Sequence, residues 1–108
     1  MAKIIWSKEA TQVFLGHIEY ARLEFGESTA IRWMDERKQI ERRLKLYPTS
    51  YPPEPLLRNM TKAYRSCHIM RRRFKIVFSY DEENDIVHIL DIWDTKMNPK
   101  TLVLRIKG

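Results

Sequence analysis

Apolar positions in the first part of the chain recur every three or four residues, which is the spacing of a helix with one buried face. A short apolar stretch at Ile4 and Ile5 precedes this pattern and predicts a β-strand. Ser7 then lies where a side chain can cap a helix N-terminus, and Gly26 can end the helix because glycine adopts left-handed backbone angles without strain. The apolar positions between them are Val13, Phe14, Ile18, Ala21 and Phe25. A strand followed by a helix is therefore predicted.

A second helix is predicted after Gly26, with Ser28 or Thr29 as its N-cap. It must end near Tyr47, because Pro48 pushes the residue before it out of the helical conformation. Its face opposite the apolar stripe is rich in charged residues. The apolar positions are Ala30, Trp33, Met34, Ile40 and Leu44. With a short glycine turn between them, the two helices form an antiparallel hairpin over about residues 7–46.

The apolar pattern changes from helical spacing to alternation beyond an extended connector at residues 48–55, which holds four of the five prolines. Three β-strands are predicted at about residues 62–70, 72–80 and 86–93, with an acidic turn between the last two. The order β-α-α-β-β-β predicts a single α+β domain over residues 1–108. In this two-layer sandwich the helical hairpin covers one side of a largely antiparallel sheet, whose last three strands form a meander. The sheet positions facing the hairpin are Phe74, Ile76, Phe78 and Tyr80.

Positive charge is the feature of the composition that bears most on function. The 108 residues carry 20 Lys and Arg against 14 Asp and Glu, a formal net charge of +6. The cations are concentrated at residues 32–45, 58–75 and 96–107. Such a basic surface favours a polyanionic partner such as nucleic acid, or an acidic protein. The alternative is a solvated surface that maintains solubility.

The composition also excludes several classes of protein. A single cysteine, Cys67, permits no intramolecular disulfide and no cysteine-based zinc site. Three scattered histidines without carboxylates at ligand spacing indicate no metal site, and we expect no cofactor. The N-terminus lacks the apolar stretch of a secretion signal, and no run approaches the roughly 20 apolar residues of a membrane span. A cytoplasmic protein without a membrane partner is therefore expected.

Four segments of the chain match a known pattern in their order and spacing. They are Ile5-Trp6-Ser7-Lys8-Glu9-Ala10, the hairpin with Ile18-Glu19-Tyr20 and Phe25-Gly26, Leu56-Leu57-Arg58-Asn59-Met60, and Tyr64-Arg65 followed by Arg73-Phe74-Lys75-Ile76-Val77-Phe78. Through them nearly the whole chain resembles the RelE/ParE superfamily of toxins from bacterial type II toxin–antitoxin modules, which stabilise plasmids. The resemblance implies a growth-inhibiting toxin that is neutralised by a cognate antitoxin encoded beside it.

The resemblance leaves two targets open. RelE-like members cleave mRNA on the ribosome without a metal ion, whereas ParE-like members inhibit DNA gyrase. Metal-free cleavage needs general acid–base groups and cations around the strained phosphate. The catalytic candidates are Arg65, His68, Arg73, Lys75 and Lys96. His68 is alternatively a polar surface residue, and the C-terminal tyrosine of RelE-like enzymes has no counterpart, because no tyrosine follows Tyr80.

Two features favour a ParE-like gyrase inhibitor, although whether the chain is an enzyme stays open at this point. They are the long helical hairpin and the segment from Lys96 to Pro99, which resembles an Arg-x-x-Pro motif. The residues expected to bind nucleic acid or to contact the target are Lys62, Arg71, Arg72, Trp93 and Lys100. The arginines are alternatively part of a solvated turn, and Trp93 alternatively covers the core.

The family resemblance also implies how an antitoxin would bind. A segment that is disordered alone would fold as an amphipathic helix or extended strand across the hairpin and the sheet. Its apolar side chains would pack beside Phe14, Ile18 and Trp33, and its acidic ones would approach Arg65, Lys96 and the three arginines at residues 71–73. His17 and His88 are interpreted as structural residues.

Overall fold

The chain folds a helical hairpin onto one face of a four-stranded sheet and a third helix onto the other. The computed structural model describes residues 1–107. Its elements are β1 (Lys3–Trp6), α1 (Lys8–Phe25), α2 (Glu27–Leu46), a 3₁₀ turn (Pro55–Leu57), β2 (Arg65–Ile69), β3 (Phe74–Asp81), β4 (Ile86–Asp94) and α3 (Pro99–Lys107). The predicted α+β class and the predicted order of the first six elements are confirmed.

The sheet is mixed because its first strand runs parallel to its last. The strand order is β1-β4-β3-β2, with β3 antiparallel to both of its neighbours. β1 pairs with β4 in parallel from Lys3↔Ile86 to Trp6↔Ile89. The predicted meander of the last three strands is confirmed, and β1 adds a fourth strand at one edge.

The beginning of α1 connects the helix to the sheet. The Ala10 N–H donates to Ser7 Oγ over 3.0 Å, which confirms Ser7 as the N-cap, and the Ser7 hydroxyl donates to the Leu90 carbonyl over 3.2 Å. α2 starts at Glu27 directly after Gly26, whose φ of 99° suits glycine. Ser28 and Thr29 therefore lie inside the first turn of α2, and the prediction that one of them is the N-cap was wrong.

The main core lies between the helical hairpin and the sheet. Its helical side chains come from the predicted stripes, and the facing side chains come from alternate positions of the strands. It contains Phe14, Ile18, Ala30, Ile40, Leu44, Cys67, Ile69, Ile76, Phe78, Val87, Ile89 and Ile92. Each of the large side chains contributes roughly 1.5–3 kcal/mol through burial. Hydrophobic packing on this face therefore fixes the orientation of the hairpin.

A β-bulge at Leu90 changes which side chains of β4 face the hairpin. Val77 pairs with Asp91 and Phe78 pairs with Ile89, so Leu90 is one extra residue in β4. Because of this extra residue, Ile89 and Ile92 both lie in the main core. Asp91 and Trp93 are consequently directed to the opposite face of the sheet.

The opposite face carries α3, a helix that the sequence analysis did not predict. Asn98 caps it, since the Lys100 N–H donates to Asn98 Oδ1 over 3.0 Å, and Pro99 occupies the first helical position. Leu102 is fully buried in a second, smaller core formed with Leu57, Val77 and Trp93. The residues expected to form a polar tail after β4 thus lead directly into a packed helix.

The proline-rich connector protects the outer edge of the sheet. The segment predicted to be extended begins with a turn at Pro48 and is extended only at residues 52–54. There it runs along β2, where the Glu54 N–H donates to the Tyr64 carbonyl over 2.9 Å. Pro53 forms an isolated bridge with Arg65. Covering an edge strand in this way prevents it from pairing with another chain.

β2 and β3 are shorter than predicted at the turn that joins them. β2 ends at Ile69 and β3 begins at Phe74, because Met70, Arg71 and Arg72 have positive φ angles that no strand accommodates.

None of the helices within residues 1–107 is long and apolar enough to cross a bilayer.

Replacing Leu102 with Ala tests how α3 is attached. We expect the free energy of unfolding to fall by about 2–3 kcal/mol, because the substitution leaves a cavity in the second core. The matched control is Leu104→Ala on the same helix, where the side chain is 68% exposed and a change within about 0.5 kcal/mol is expected. Urea denaturation measures both, and equal losses would show that α3 is not packed as described.

Candidate functional site

Three consecutive arginines form the turn between β2 and β3 at one end of the sheet. The Arg73 N–H donates to the Met70 carbonyl over 3.1 Å, and Arg71 and Arg72 lie between them. The Met70 side chain is buried, and the backbone N–H of Met70 donates to Oε1 of Glu36 on α2 over 2.9 Å. The turn is therefore held against the helical hairpin while its arginines remain exposed.

A groove of about 490 Å³ opens beside this turn, between the hairpin and the end of the sheet. We call it the aromatic groove. Its lining residues are His17, Tyr20, Phe25, Thr29, Trp33, Met70, Arg71, Arg73, Phe74 and Asp94. Tyr20 and Phe25 are each more than half exposed, so part of the apolar lining faces solvent. An exposed apolar concavity with a basic rim is a suitable binding site for another molecule.

His17 forms one wall of the aromatic groove. Its ring lies 4.0 Å from the ring of Phe74, measured between centroids. Burial lowers the pKa of His17, Asp94 acts in the opposite direction, and Arg73 lowers the pKa further. The imidazole is therefore neutral near pH 7. The structural role predicted for His17 agrees with its packing, but the sequence did not indicate its place in a groove.

An ion pair closes the end of the groove nearest β4. Arg73 Nε lies 3.4 Å from Asp94 Oδ1, which also accepts a hydrogen bond from the Lys96 N–H over 2.9 Å. This backbone hydrogen bond and then the Arg73 side chain lower the pKa of Asp94. The loop after β4 is further attached to the turn because the Thr95 N–H donates to the Arg73 carbonyl over 3.0 Å. Arg73 and Lys96 are thus brought to the same end of the molecule.

On the opposite face of the sheet, Lys75 forms an ion pair with the buried carboxylate of Glu54. Glu54 is fully buried, and Lys75 Nζ donates to its Oε1 over 2.8 Å. The Ser66 hydroxyl donates to the same oxygen over 2.9 Å, and the Leu56 N–H donates to Oε2 over 2.7 Å. Burial would raise the pKa of Glu54, but these hydrogen bonds outweigh it and hold the pKa below its ordinary value. Glu54 is therefore ionised near neutral pH.

His68 lies on this same face, directly opposite Lys75 in the β2–β3 register. Burial lowers its pKa, and the positive charges of Arg72 and Lys75 lower it further. His68 is consequently a neutral imidazole beside two cations near pH 7.

The structure does not bring the five catalytic candidates together. Arg65 lies on the hairpin side of the sheet with Cys67, and its Nη1 donates to the Tyr51 carbonyl over 2.6 Å. His68 and Lys75 lie on the opposite face, whereas Arg73 pairs with Asp94 at the end of the aromatic groove. Lys96 is exposed near Asp94. Residues on two faces of one sheet cannot act on a single phosphate.

Some of the residues expected to contact a partner are buried and cannot do so. Trp93 is 1% exposed beneath α3, so its ring cannot stack on a base, and its alternative role in covering the core corresponds to its position. Phe14 and Ile18 are buried in the main core and present no surface to an antitoxin. The candidates that do reach the surface are Trp33, Lys62, Arg71, Arg72 and Lys100.

Two features of the described chain argue against other kinds of chemistry. Burial raises the pKa of the Cys67 thiol to about 12, so it is not a nucleophile near neutral pH. Within residues 1–107, no group of three or more His, Cys, Asp or Glu side chains is placed to hold a metal ion.

Sequence reasoning missed Glu54 and the pair formed by Asp91 and Arg105. Glu54 lies in the proline-rich connector, where no periodicity indicates burial. Asp91 is 4% exposed, and its Oδ1 accepts from Arg105 Nη2 of α3 over 2.6 Å. Asp91 has an apolar neighbour on each side within a predicted strand, and this pattern could have indicated that its side chain is buried.

Comparison with known proteins gives one family and one fold. A family model described as the ParE toxin of the type II toxin–antitoxin system parDE matches residues 4–99. Among solved structures, the chromosomal ParDE toxin–antitoxin system from P. aeruginosa contains a similar chain, with a TM-score of 0.68 and 14% sequence identity. The alignment covers 89% of this chain and 98% of that one, and at this identity it shows a shared fold. No curated protein matches the sequence.

Replacing Glu54 with Gln tests the buried ion pair. We expect the free energy of unfolding at pH 7 to fall by about 3 kcal/mol, because Lys75 is left largely buried without its counter-ion. The matched control is Glu41→Gln, which removes the carboxylate of the more exposed Arg37–Glu41 pair on α2 and should cost about 0.5 kcal/mol. Urea denaturation of both variants distinguishes these outcomes.

The same pair should make stability depend on pH. Because the folded pKa of Glu54 lies below its ordinary value of 4.5, its contribution is complete above that value and is lost as pH falls through the folded pKa. Between about pH 5 and pH 3 the wild type should therefore lose more stability than Glu54→Gln. Parallel stability profiles would contradict the role given to this carboxylate.

Proposed function

This chain belongs to the ParE toxin family of type II toxin–antitoxin systems, and from that premise we propose that it arrests growth by binding DNA gyrase. We also propose that a cognate antitoxin neutralises it in the cytoplasm. The toxin family was predicted from the sequence. Gyrase as the target and neutralisation by an antitoxin are inferences from the family and from the geometry described above.

One observation supports a binding toxin over a ribonuclease: Lys75 already has a carboxylate partner. A cation that stabilises a strained phosphate must be free to approach two or more of its oxygens. Lys75 instead lies 2.8 Å from the ionised and fully buried Glu54. A phosphate placed beside Lys75 would also be close to this negative charge, and the two anions would repel each other.

The other residues that a ribonuclease would use are also poorly suited to RNA cleavage. Arg65 hydrogen-bonds a backbone carbonyl on the other side of the sheet, and no tyrosine follows Tyr80. His68 alone retains suitable chemistry, because it is neutral and lies beside cations. A single imidazole can act as acid or as base in one step, but cleavage requires both a base for the 2′-hydroxyl and an acid for the leaving oxygen.

The exposed cations support a surface that contacts the target. Arg71, Arg72, Lys96 and Lys100 are exposed in the β2–β3 turn, the loop after β4 and the first turn of α3. Lys62 lines a separate groove with Tyr64 and Arg105. We assign these residues to contacts with the target, where their charge would accelerate association.

The aromatic groove supports a site for the antitoxin. Tyr20, Phe25 and Trp33 offer apolar contacts, and Arg71 and Arg73 lie on the rim. A short segment with apolar anchors and acidic flanks complements both features, since buried anchors hold a complex together while charge steers its formation. Trp33 remains in this assignment, whereas the surface positions Tyr20 and Phe25 replace the buried Phe14 and Ile18.

Purified DNA gyrase, supercoiled plasmid and ATP test the proposed target. We expect the toxin to inhibit supercoiling or to trap broken DNA, and His68→Ala to act as strongly as the wild type, because no proton transfer is involved. Toxin already bound to its antitoxin serves as the inactive control. Cut transcripts after induction in cells, lost in His68→Ala, would show that the target is RNA and that the proposal is wrong.

Binding kinetics with the antitoxin test the groove. The association rate should fall as salt rises, because the rim is basic, and Phe25→Ala should speed dissociation by roughly tenfold, the effect of losing about 1.4 kcal/mol at one anchor. Leu23→Ala is the matched control, since Leu23 is also on α1 and is 75% exposed outside the groove. An association rate independent of salt would remove the electrostatic part of this account, and equal effects of the two variants would place the antitoxin elsewhere.

A further inference from the structure

The turn between β2 and β3 has a geometry that its residues do not favour. The Met70 carbonyl accepts from the Arg73 N–H, and the two central residues, Arg71 and Arg72, have φ angles of 57° and 66°. Positive φ at both central positions defines a type I′ turn, for which Asn-Gly is the preferred sequence. Arginine has a Cβ atom that clashes with the backbone at these angles. The preceding residue, Met70, also has a φ of 57°.

The surrounding structure keeps this conformation in place. Met70 is buried and its backbone N–H is hydrogen-bonded to Glu36 of α2, while Ile69 of β2 pairs with Phe74 of β3 on either side of the turn. These contacts involve Met70, Ile69 and Phe74 but not the side chains of Arg71 and Arg72, which are exposed. The fold therefore does not require arginine at either central position. A residue that opposes its local backbone geometry without a packing reason is typical of a functional position.

The two arginines extend toward different sides of the sheet. Arg71 lines the surface beside Arg32 and Trp33 of α2, whereas the charge of Arg72 acts on His68 on the opposite face. Lys96 lies at the same end, because Thr95 is hydrogen-bonded to Arg73. Within residues 1–107, Arg71 and Arg72 form no ion pair, and only Arg73 has a carboxylate partner. The turn thus exposes the guanidinium groups of Arg71 and Arg72 at one end of the sheet. Asp35 and Glu36 of α2 line the same groove as Arg71 but form no ion pair with it.

We infer that the Arg71–Arg72 turn is a binding element for the phosphate backbone of duplex DNA, with Lys96 as a third contact. Guanidinium groups bind phosphate oxygens through two parallel hydrogen bonds, and backbone binding requires charge without apolar anchors. Protein interfaces instead centre on buried apolar side chains. Within residues 65–94 no large apolar side chain is exposed, so the turn itself offers charge without apolar anchors. The apolar side chains near Arg71, among them Tyr20 and Phe25, belong to the aromatic groove. This inference goes beyond the proposed function, because it gives Arg71, Arg72 and Lys96, assigned above to contacts with the target, a second ligand that they bind without gyrase.

The experiment replaces the turn with its preferred sequence, Arg71→Asn with Arg72→Gly, in the full chain. Binding to a fluorescent DNA duplex is followed by anisotropy between 50 and 200 mM salt. With three phosphate contacts the wild type should lose affinity roughly 40-fold over this range, and with one contact the variant should lose it roughly fourfold. The same variant should melt at a temperature higher by roughly 4–8 °C, because the strain in the turn is relieved. Higher stability together with weaker DNA binding is the expected signature.

Two further variants separate charge from conformation. Arg71→Lys with Arg72→Lys keeps the charge and the unfavourable angles, so its salt dependence and melting temperature should remain close to those of the wild type. Arg42→Gln with Lys45→Gln removes the same charge from exposed positions of α2 and should retain the 40-fold salt effect. The inference is wrong if the Asn-Gly variant keeps the wild-type salt dependence of DNA binding. It is also wrong if the α2 variant loses that salt dependence as fully as the Asn-Gly variant does. It is also wrong if a poly-glutamate peptide displaces the labelled duplex more strongly than unlabelled duplex does at equal charge. Because gyrase is absent from these measurements, their failure leaves the proposed target untouched, and failure of gyrase inhibition leaves them untouched.

Discussion

The hydrogen bonds around the Glu54 carboxylate hold together parts of the chain that share no hydrophobic pattern. A buried carboxylate is stable only when donors surround it, and here the donors come from the 3₁₀ turn, from β2 and from β3. They fix the 3₁₀ turn that places Leu57 in the second core beneath α3. Because Lys75 donates one of these hydrogen bonds, its role is structural. The interaction that completes the fold on this face is thus the same one that makes the face unsuitable for phosphate chemistry.

The two faces of the sheet consequently differ in what they can do. The face under α3 is closed by packing and by the Asp91–Arg105 pair. The hairpin face remains open at one end, where the aromatic groove meets the arginine turn. Arg71 belongs to both of these features. A partner seated in the groove would therefore cover part of the basic turn, so one binding event could block the other through direct overlap, without any change in conformation.

The sequence predicted those parts of the fold that depend on periodicity. The helical stripes and the alternation in β3 identified most of the main core, because burial of one face imposes a regular spacing. Phe25, the last position of the first stripe, is instead 58% exposed. The candidate site depends on contacts between distant segments, which leave no such pattern. Nothing in the connector indicates that Glu54 meets Lys75. The predicted strands extended to residues 70 and 72, although the backbone turns there. The helix α3 was missed because only its Leu102 side is deeply buried and the helix is short.

The parallel pairing of β1 with β4 also sets the order in which the protein can assemble during its synthesis. The Ser7 hydroxyl bonds to the Leu90 carbonyl across a separation of 83 residues, so the first strand has no place in the sheet until the last one exists. Closing so long a loop is slow relative to forming the local helical hairpin. On the ribosome, the hairpin can form early, but the completed sheet and the aromatic groove, whose lining includes Asp94, have to wait until β4 has emerged. A partly made chain therefore lacks the groove through which the finished protein would bind a partner, and this surface exists only once synthesis is almost complete.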